Sequence, residues 1–432
     1  MTYGKFNVEY EQRIYNPERM RQYRLERAQA MLKKHGLGSM LIMDFDNQRY
    51  LSFETRRGWM RHRMGLEFVL LVKDAGFPYC SAPRLGRMPW EMMMPWFKDK
   101  GVLSGAFFQN SVTPDRNINI KQWDNGIAII KDLLKKHGVA SEPVGVDVCG
   151  MNMVEAFRKG GIELVSGVEA LAEARMIKNQ DEIECHRVAG SIAEAAHWEV
   201  ARALRPGMTE MEVAGIAAKA CYDHGAEDME GPSFVVHSGP RAGQNNPRTA
   251  TDRAIRPGDM VVVDINGVGF EGYRTCFYRT YCVGDKPTDF QKEIYKDAYD
   301  CQVAMEQAIK PGLTNAQIAE TIMKAGEGRW YNGPTFPEPG KYWSCHFGGH
   351  EIGLTSGDCG PGWGAMDKAP NRVMEPGRVL AVEVGASEWD GQNWSYDGAK
   401  LENCGVVTEK GFEIFYRFPY AELITCGLPG VY

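Results

Sequence analysis

The chain has 432 residues, 44% hydrophobic and 25% charged, with a formal net charge of −6. That length exceeds one ordinary hydrophobic core and points to two domains, while the composition excludes a disordered or low-complexity chain. The acidic balance leaves no basic footprint for nucleic acid, and no apolar run approaches the length of a membrane span.

The first residues lack the basic start and apolar core of a signal peptide. Residues 17–36 carry Met20, Tyr23, Leu25, Ala28, Met31 and Leu32 between charged residues, which predicts an amphipathic helix. "GSMLIMDF" and "EFVLLVKD" predict buried strands, and "NGIAIIKDLLKKHG" a helix leading to the strand "VGVDV". This alternation predicts an α/β domain over residues 1–172, with a second domain over 173–432. Near the junction Asn179 stands three residues before Glu182, a capping-box spacing that opens a helix reaching about Leu204.

The second half contains a repeat. "RPGMTEMEVAGIAAKA" (205–220) matches "KPGLTNAQIAETIMKA" (310–325), and "RPGDMVVVD" (256–264) matches "EPGRVLAVE" (375–383). Two matches in the same order predict duplicated αβ halves. They place Asp264 and Glu383 at equivalent strand ends, so a pseudo-two-fold axis would bring the two carboxylates together.

Each of these strands is followed by a further acid or thiol: Cys276 in "GYRTCFYRT" and Glu402 in "GAKLENCGVVTE". Between the halves, "CHFGGHEIGL" holds His346 and His350 beside glycines, and His237 ends the apolar run "FVVHSGP". Carboxylates and imidazoles sharing a pocket either hold a divalent ion or divide acid, base and electrostatic roles. For Cys276 two readings stand side by side: a buried small hydrophobe, or a thiolate ligand in a Cys276–His350–Glu383–Glu402 set suited to zinc or iron. Trp343, Trp363, Trp389 and Trp394 lie near these motifs, and aromatic faces would suit a sulfonium or quaternary ammonium group. The 11 cysteines are scattered without C-x-x-C spacing, which predicts reduced thiols in a cytoplasmic protein.

These motifs resemble the creatinase/prolidase, or pita-bread, superfamily: the "RMRQYRLERAQAMLKKHGLGSMLIMDFDNQRYL" opening, the "EARMIKNQDEIE" junction and the whole C-terminal half. The resemblance implies a creatinase-like N-terminal α/β domain, a C-terminal pita-bread domain and a homodimer. Metal-dependent peptidases of this group carry two aspartates, a histidine and two glutamates. The histidine falls on His350, the glutamates on Glu383 and Glu402, the first aspartate at or next to Asp264, and the second on Cys276.

The departures are equally specific. A histidine expected seven positions after His350 is Gly357, and "SGPRAGQNNPRTATDRA" contains none of the substrate-binding histidine type. The local pattern is closest to the dimethylsulfoniopropionate lyase branch, through Asp264 and Asn266, Lys400–Leu401–Glu402, and the ending "GFEIFYRFPYAELI". That branch implies Asp358 as the catalytic base. Creatinase further implies that Arg56, Arg57 and Trp59 reach into a partner subunit's pocket, where a guanidinium could clamp a carboxylate.

The expectation is therefore a lyase acting on a small zwitterion, cleaving dimethylsulfoniopropionate to dimethyl sulfide and acrylate. Asp358, His350, Asp264, Glu383 and Glu402 are its candidate catalytic residues. His346, His237, Trp343, Trp363, Arg56 and Trp59 are its candidate substrate contacts. The pocket is either metal-free or holds one divalent ion, iron or zinc, on Cys276, His350, Glu383 and Glu402. Two alternatives stand beside it: a C–N hydrolase of a small guanidino or amidine compound, and an inactive homologue that only binds.

Overall fold

The computed structural model describes residues 15–53, 67–82, 94–97, 100–104, 113–229, 234–243, 249–332, 343–358, 371–389, 395 and 397–428. The chain divides into two compact units, Met1–Arg175 and Met176–Tyr432.

In the first unit, helix α1 (Pro17–Lys34) starts where Asn16 accepts a hydrogen bond from the Arg19 N–H and Pro17 fills a position that needs no donor. Helix α2 (Phe45–Ser52) follows strand β1 (Ser39–Ile42). Strands β2 (Val69–Val72), β3 (Tyr79–Ala82), β4 (Val102–Ser104), β5 (Val144–Val146) and β6 (Leu164–Ser166) complete a six-stranded sheet in the order β4-β3-β2-β1-β5-β6. It is mixed: β1 runs antiparallel to β2 and parallel to β5. Helices α3 (Arg116–Lys121), α4 (Asp124–Lys136), α5 (Met151–Lys159) and α6 (Val168–Met176) follow in the chain. Ile127, Ile130 and Leu134 of α4 share a core with Leu41, Leu70 and Val144 of the sheet. Each such burial contributes roughly 1.5–3 kcal/mol.

The second unit is built from helices α7 (Gln180–Ala203), α8 (Glu210–Asp223), α9 (Asp289–Ala308) and α10 (Asn315–Ala325) around two main sheets. All four helices open with complete capping boxes, the first being the expected Asn179–Glu182 pair. Strands β7 (Asp228–Met229) and β10 (Val268–Gly269) form a small ribbon. One sheet holds β8 (Val235–Ser238), β9 (Met260–Asp264), β11 (Tyr278–Val283) and β17 (Ile424–Cys426) in the order β17-β11-β9-β8. The other runs β12 (Trp330–Tyr331), β13 (Trp343–Glu351), β14 (Val379–Trp389), β15 (Ala399–Thr408), β16 (Gly411–Ile414) in chain order. No helix among the described residues is long and apolar enough to cross a membrane.

The repeat seen in the sequence is a repeat in space. Gly207 and Gly312 turn the chain into α8 and α10 at φ 89° and 85°, a region that favours residues without a Cβ. Each donates to the strand leading into its partner motif, Gly207 to the Ile255 carbonyl at 2.9 Å and Gly312 to that of Met374 at 2.8 Å. The capping threonines make matching bridges, Thr209 to Ala254 and Thr314 to Val373. Gly258 and Gly377, at φ 84° and 90°, then launch β9 and β14. Asp264 and Glu383 thus occupy equivalent positions on equivalent strands.

Candidate functional site

Residues paired across antiparallel strands point to the same face of a sheet, and so do residues two apart on one strand. The register of β13, β14 and β15 therefore lays out a wall in three rows. Gly348, Glu383 and Glu402 form the central row, flanked by His350–Ala381–Cys404 on one side and His346–Gly385–Lys400 on the other. The opposite face buries Phe347, Val382, Val384 and Leu401 in the core shared with α9. This burial fixes which side chains the wall presents, since a one-residue slip would put Glu402 in the core. From the other sheet comes a row of Val235, Asp264 and Tyr278.

Cys276 lies just before β11. Its carbonyl accepts from the Tyr416 hydroxyl and the Cys404 thiol, each at 3.1 Å. Flanking bonds from Ile265 N to the Phe277 carbonyl and Gly267 N to the Thr275 carbonyl fix the segment against the end of β9. A ligand atom from each of Cys276, His350 and Glu402 lies within 4.8 Å of the others. His350 Nδ1 donates to the Glu351 carbonyl at 3.0 Å, so in the neutral ring Nε2 carries the lone pair. That nitrogen faces Glu402 Oε1 at 3.7 Å.

The electrostatics of the cluster call for a cation. Glu402 is fully buried and Asp264 nearly so. Oδ1 of Asp264 lacks a hydrogen-bond partner among the described residues, and the oxygens of Glu402 meet no donor there beyond the Cys276 thiol. Glu383 stands directly opposite Glu402, a like-charge pairing that is unfavourable by itself. Burial, then Glu383, push Asp264 up to about 7, against the opposing pull of the Tyr278 hydroxyl and Lys400. Burial and the same neighbour hold Glu402 well above the usual carboxylate range. Burial first, then Glu402 and Asp264, hold the Cys276 thiol up as well. A divalent ion would reverse each of these penalties, and the sulfur, nitrogen and oxygen donors present fit one.

The remaining expected residues distribute as follows. Glu383 is half-buried beside the triad and provides the carboxylate nearest to solvent. His346 is half-buried on the same wall, its ring 4.9 Å from that of Tyr331. His237 is buried on β8, on the face of Asp264 but one row further along. Asn266 accepts from the Ser356 hydroxyl at 2.7 Å.

Asp358 points elsewhere. It is buried 3.7 Å from the Lys178 ammonium, next to the buried His186, and packs over Gly353 where any Cβ would overlap its carboxylate. The structure does not bring it into the Cys276–His350–Glu402 group. Arg56, Arg57, Trp59, Trp363 and Trp394 lie outside the described residues, and for Trp343 and Trp389 only the backbone is described.

Sequence reasoning missed Tyr278 and the pocket-facing direction of Lys400. In the register, the residue opposite Asp264 is Tyr278, so the phenol and not Cys276 is the structural counterpart of Glu402. Alternation alone could have shown that Lys400, Glu402 and Cys404 share a face.

A family model for metallopeptidase family M24 matches residues 184–409. The "probable dipeptidase PepE" of Mycobacterium tuberculosis is 30% identical over 313 residues, spanning 71% of this chain and 76% of its own. A Pyrococcus furiosus Xaa-Pro dipeptidase is 26% identical over 303 residues, 68% of this chain and 77% of its own. Among solved structures, a Bacillus anthracis Xaa-Pro dipeptidase superposes with a TM-score of 0.71 at 22% identity, covering 93% of this chain and 99% of that one. The fold is thus the mixed α/β pita-bread architecture that the sequence pattern anticipated.

Proposed function

We propose that this chain, which belongs to metallopeptidase family M24, hydrolyses a C–N bond in a small zwitterion of dipeptide size. The observation that carries this reading is the Cys276–His350–Glu402 triad, with ligand atoms within 4.8 Å of one another. Its carboxylate oxygens have no other hydrogen-bond partner among the described residues. These three residues would hold one divalent ion, and their mixed S/N/O donors suit zinc or ferrous iron. Such an ion, when bound, polarises a carbonyl and lowers the pKa of water, which is hydrolytic chemistry.

The protein's own groups divide the rest of the work. Glu383 adjoins the triad and is the least buried of the three site carboxylates, so water and substrate reach it first. It is placed to take the proton of an attacking water and return it to the leaving nitrogen. Gly348 leaves the central row without a side chain beside Glu383, making room for a compact substrate.

The lyase reading loses support at two points. The relatives compared above are dipeptidases by name, and Asp358, its expected base, is committed to the buried pair with Lys178. The hydrolase alternative takes its place, with a peptide or other amide as the bond cleaved. A substrate panel tests it: dipeptides, including Xaa-Pro, small guanidino and cyclic amidine compounds, and dimethylsulfoniopropionate. Metal-dependent release of a free amine from a member of the first groups is the expected result. Acrylate and dimethyl sulfide, with no amine from any other compound, would overturn it.

A further inference from the structure

We propose that Lys400 supplies the second positive charge of this pocket as a built-in ammonium, so that the site takes one divalent ion and not two. This rests on the reading that Cys276, His350 and Glu402 hold an ion.

The geometry begins with the strand. Lys400 lies two residues from Glu402 on the same face of β15 and opposite Gly385 of β14. Its aliphatic stem crosses that glycine, Cε lying 3.8 Å from where a Cβ would be. The backbone is locked from the other sheet, because Thr280 Oγ1 donates to the Lys400 carbonyl and accepts from its N–H, both at 2.8 Å. The ammonium therefore reaches a defined place, 4.8 Å from the centre of the Tyr278 ring. Tyr278 in turn is paired with Asp264 and hydrogen-bonds its carboxyl. Lys400 thus stands at the Asp264 end of the pocket, across from the triad's end. Its charge acts on both Asp264 and Glu402, pulling each carboxyl down against the effect of burial.

The Asp264 end is also short of ligands. Among the described residues, the single three-ligand group is Cys276, His350 and Glu402, and Asp264 is not in it. Asn266, two residues beyond Asp264, is neutral and its oxygen is already taken by Ser356. A second dication there would find Asp264 and Glu383 as donors and an ammonium as neighbour. Two like charges a few ångströms apart in a poorly solvated pocket repel strongly.

The test is metal stoichiometry, which does not depend on turnover. Full-length protein is stripped with chelator, titrated with Zn²⁺ or Mn²⁺, passed through gel filtration and assayed for ions per chain. Wild type and Lys400→Arg are expected to hold one ion, and Lys400→Met to take up a second at higher free metal. Lys400→Gln serves as a second neutral variant should Lys400→Met fail to fold. Two ions in wild type, or one in both neutral variants, would overturn the role of Lys400 and leave the hydrolase reading standing. No ion in wild type would overturn the metal site itself, and this proposal with it.

Discussion

Glu383 and Glu402 face each other directly across β14 and β15, with only Glu402 fully buried. Two carboxylates so placed are an energetic liability unless a cation joins them. Ion binding should therefore stabilise the fold. Saturating the metal-free protein at about 100 times Kd should add about 2.7 kcal/mol. Differential scanning fluorimetry with and without chelator should show a rise in Tm with Zn²⁺ or Mn²⁺. An unchanged Tm at saturating metal would argue against a site that prefers the folded state.

The exposure of Glu383 separates its role from that of its neighbour. Glu383→Gln keeps the shape and removes the proton acceptor, so kcat should fall about 10²–10⁴-fold. Folding should be retained, because the substitution relieves a like-charge pair. Circular dichroism beside steady-state kinetics on the active substrate checks both halves. Turnover within a few-fold of wild type would remove Glu383 from the proton-transfer role.

Asp358 is expected to behave as a structural residue. Breaking its buried pair with Lys178 by Asp358→Asn should cost roughly 3–5 kcal/mol, since Lys178 is left buried without its counter-charge. The folded fraction should keep its kcat. Loss of a general base would instead cost about 10²–10⁴-fold with stability intact, and urea titration beside kinetics distinguishes the two.

Two buried histidines contribute an acid-sensitive part of the stability. His197 Nε2 donates to the Phe277 carbonyl at 3.0 Å, and Nδ1 accepts from the Tyr281 hydroxyl at 2.9 Å. Burial, then Arg279, lower its pKa to about 3, and burial, then Lys178, lower that of His186 to about 3. Below the ordinary value of 6.5 the unfolded chain binds protons at these histidines that the folded chain refuses, so their contribution to stability falls as the pH drops from 6.5 towards 3, opposite in sign to that of the raised Asp264 and Glu402 carboxyls. His197→Gln should cost about 1–3 kcal/mol at neutral pH. It should also make the loss of stability on acidification shallower. A parallel pH dependence in wild type and variant would contradict this assignment.

Much of the architecture could be read from the sequence because the signals were local. The Pro-Gly turns at 206–207 and 311–312 demand a left-handed glycine before a capped helix, and both halves obey it. The pairing of Asp264 with Glu383 followed from the same repeat. Side-chain direction was harder. Asp358 follows His350 closely enough in sequence to suggest a shared pocket, yet the turn after Ile352 carries it to Lys178. Likewise the sequence order sets Cys276 after Asp264 as Glu402 follows Glu383, whereas the register puts Tyr278 opposite Asp264 as Glu402 is opposite Glu383. Cys276 reaches the triad from outside the strand, which no periodicity can announce.

On the proposed reading Cys276 is a metal ligand and not a buried small hydrophobe. Its most direct test is metal content of the purified protein, measured for wild type and Cys276→Ala together with the absorption spectrum of the Co²⁺-loaded forms. About one ion per chain is predicted for wild type, with a thiolate-to-cobalt charge-transfer band that Cys276→Ala abolishes while losing most of its affinity. Equal metal content and identical spectra in the two proteins, or a fully active protein without metal, would rule out Cys276 as a ligand.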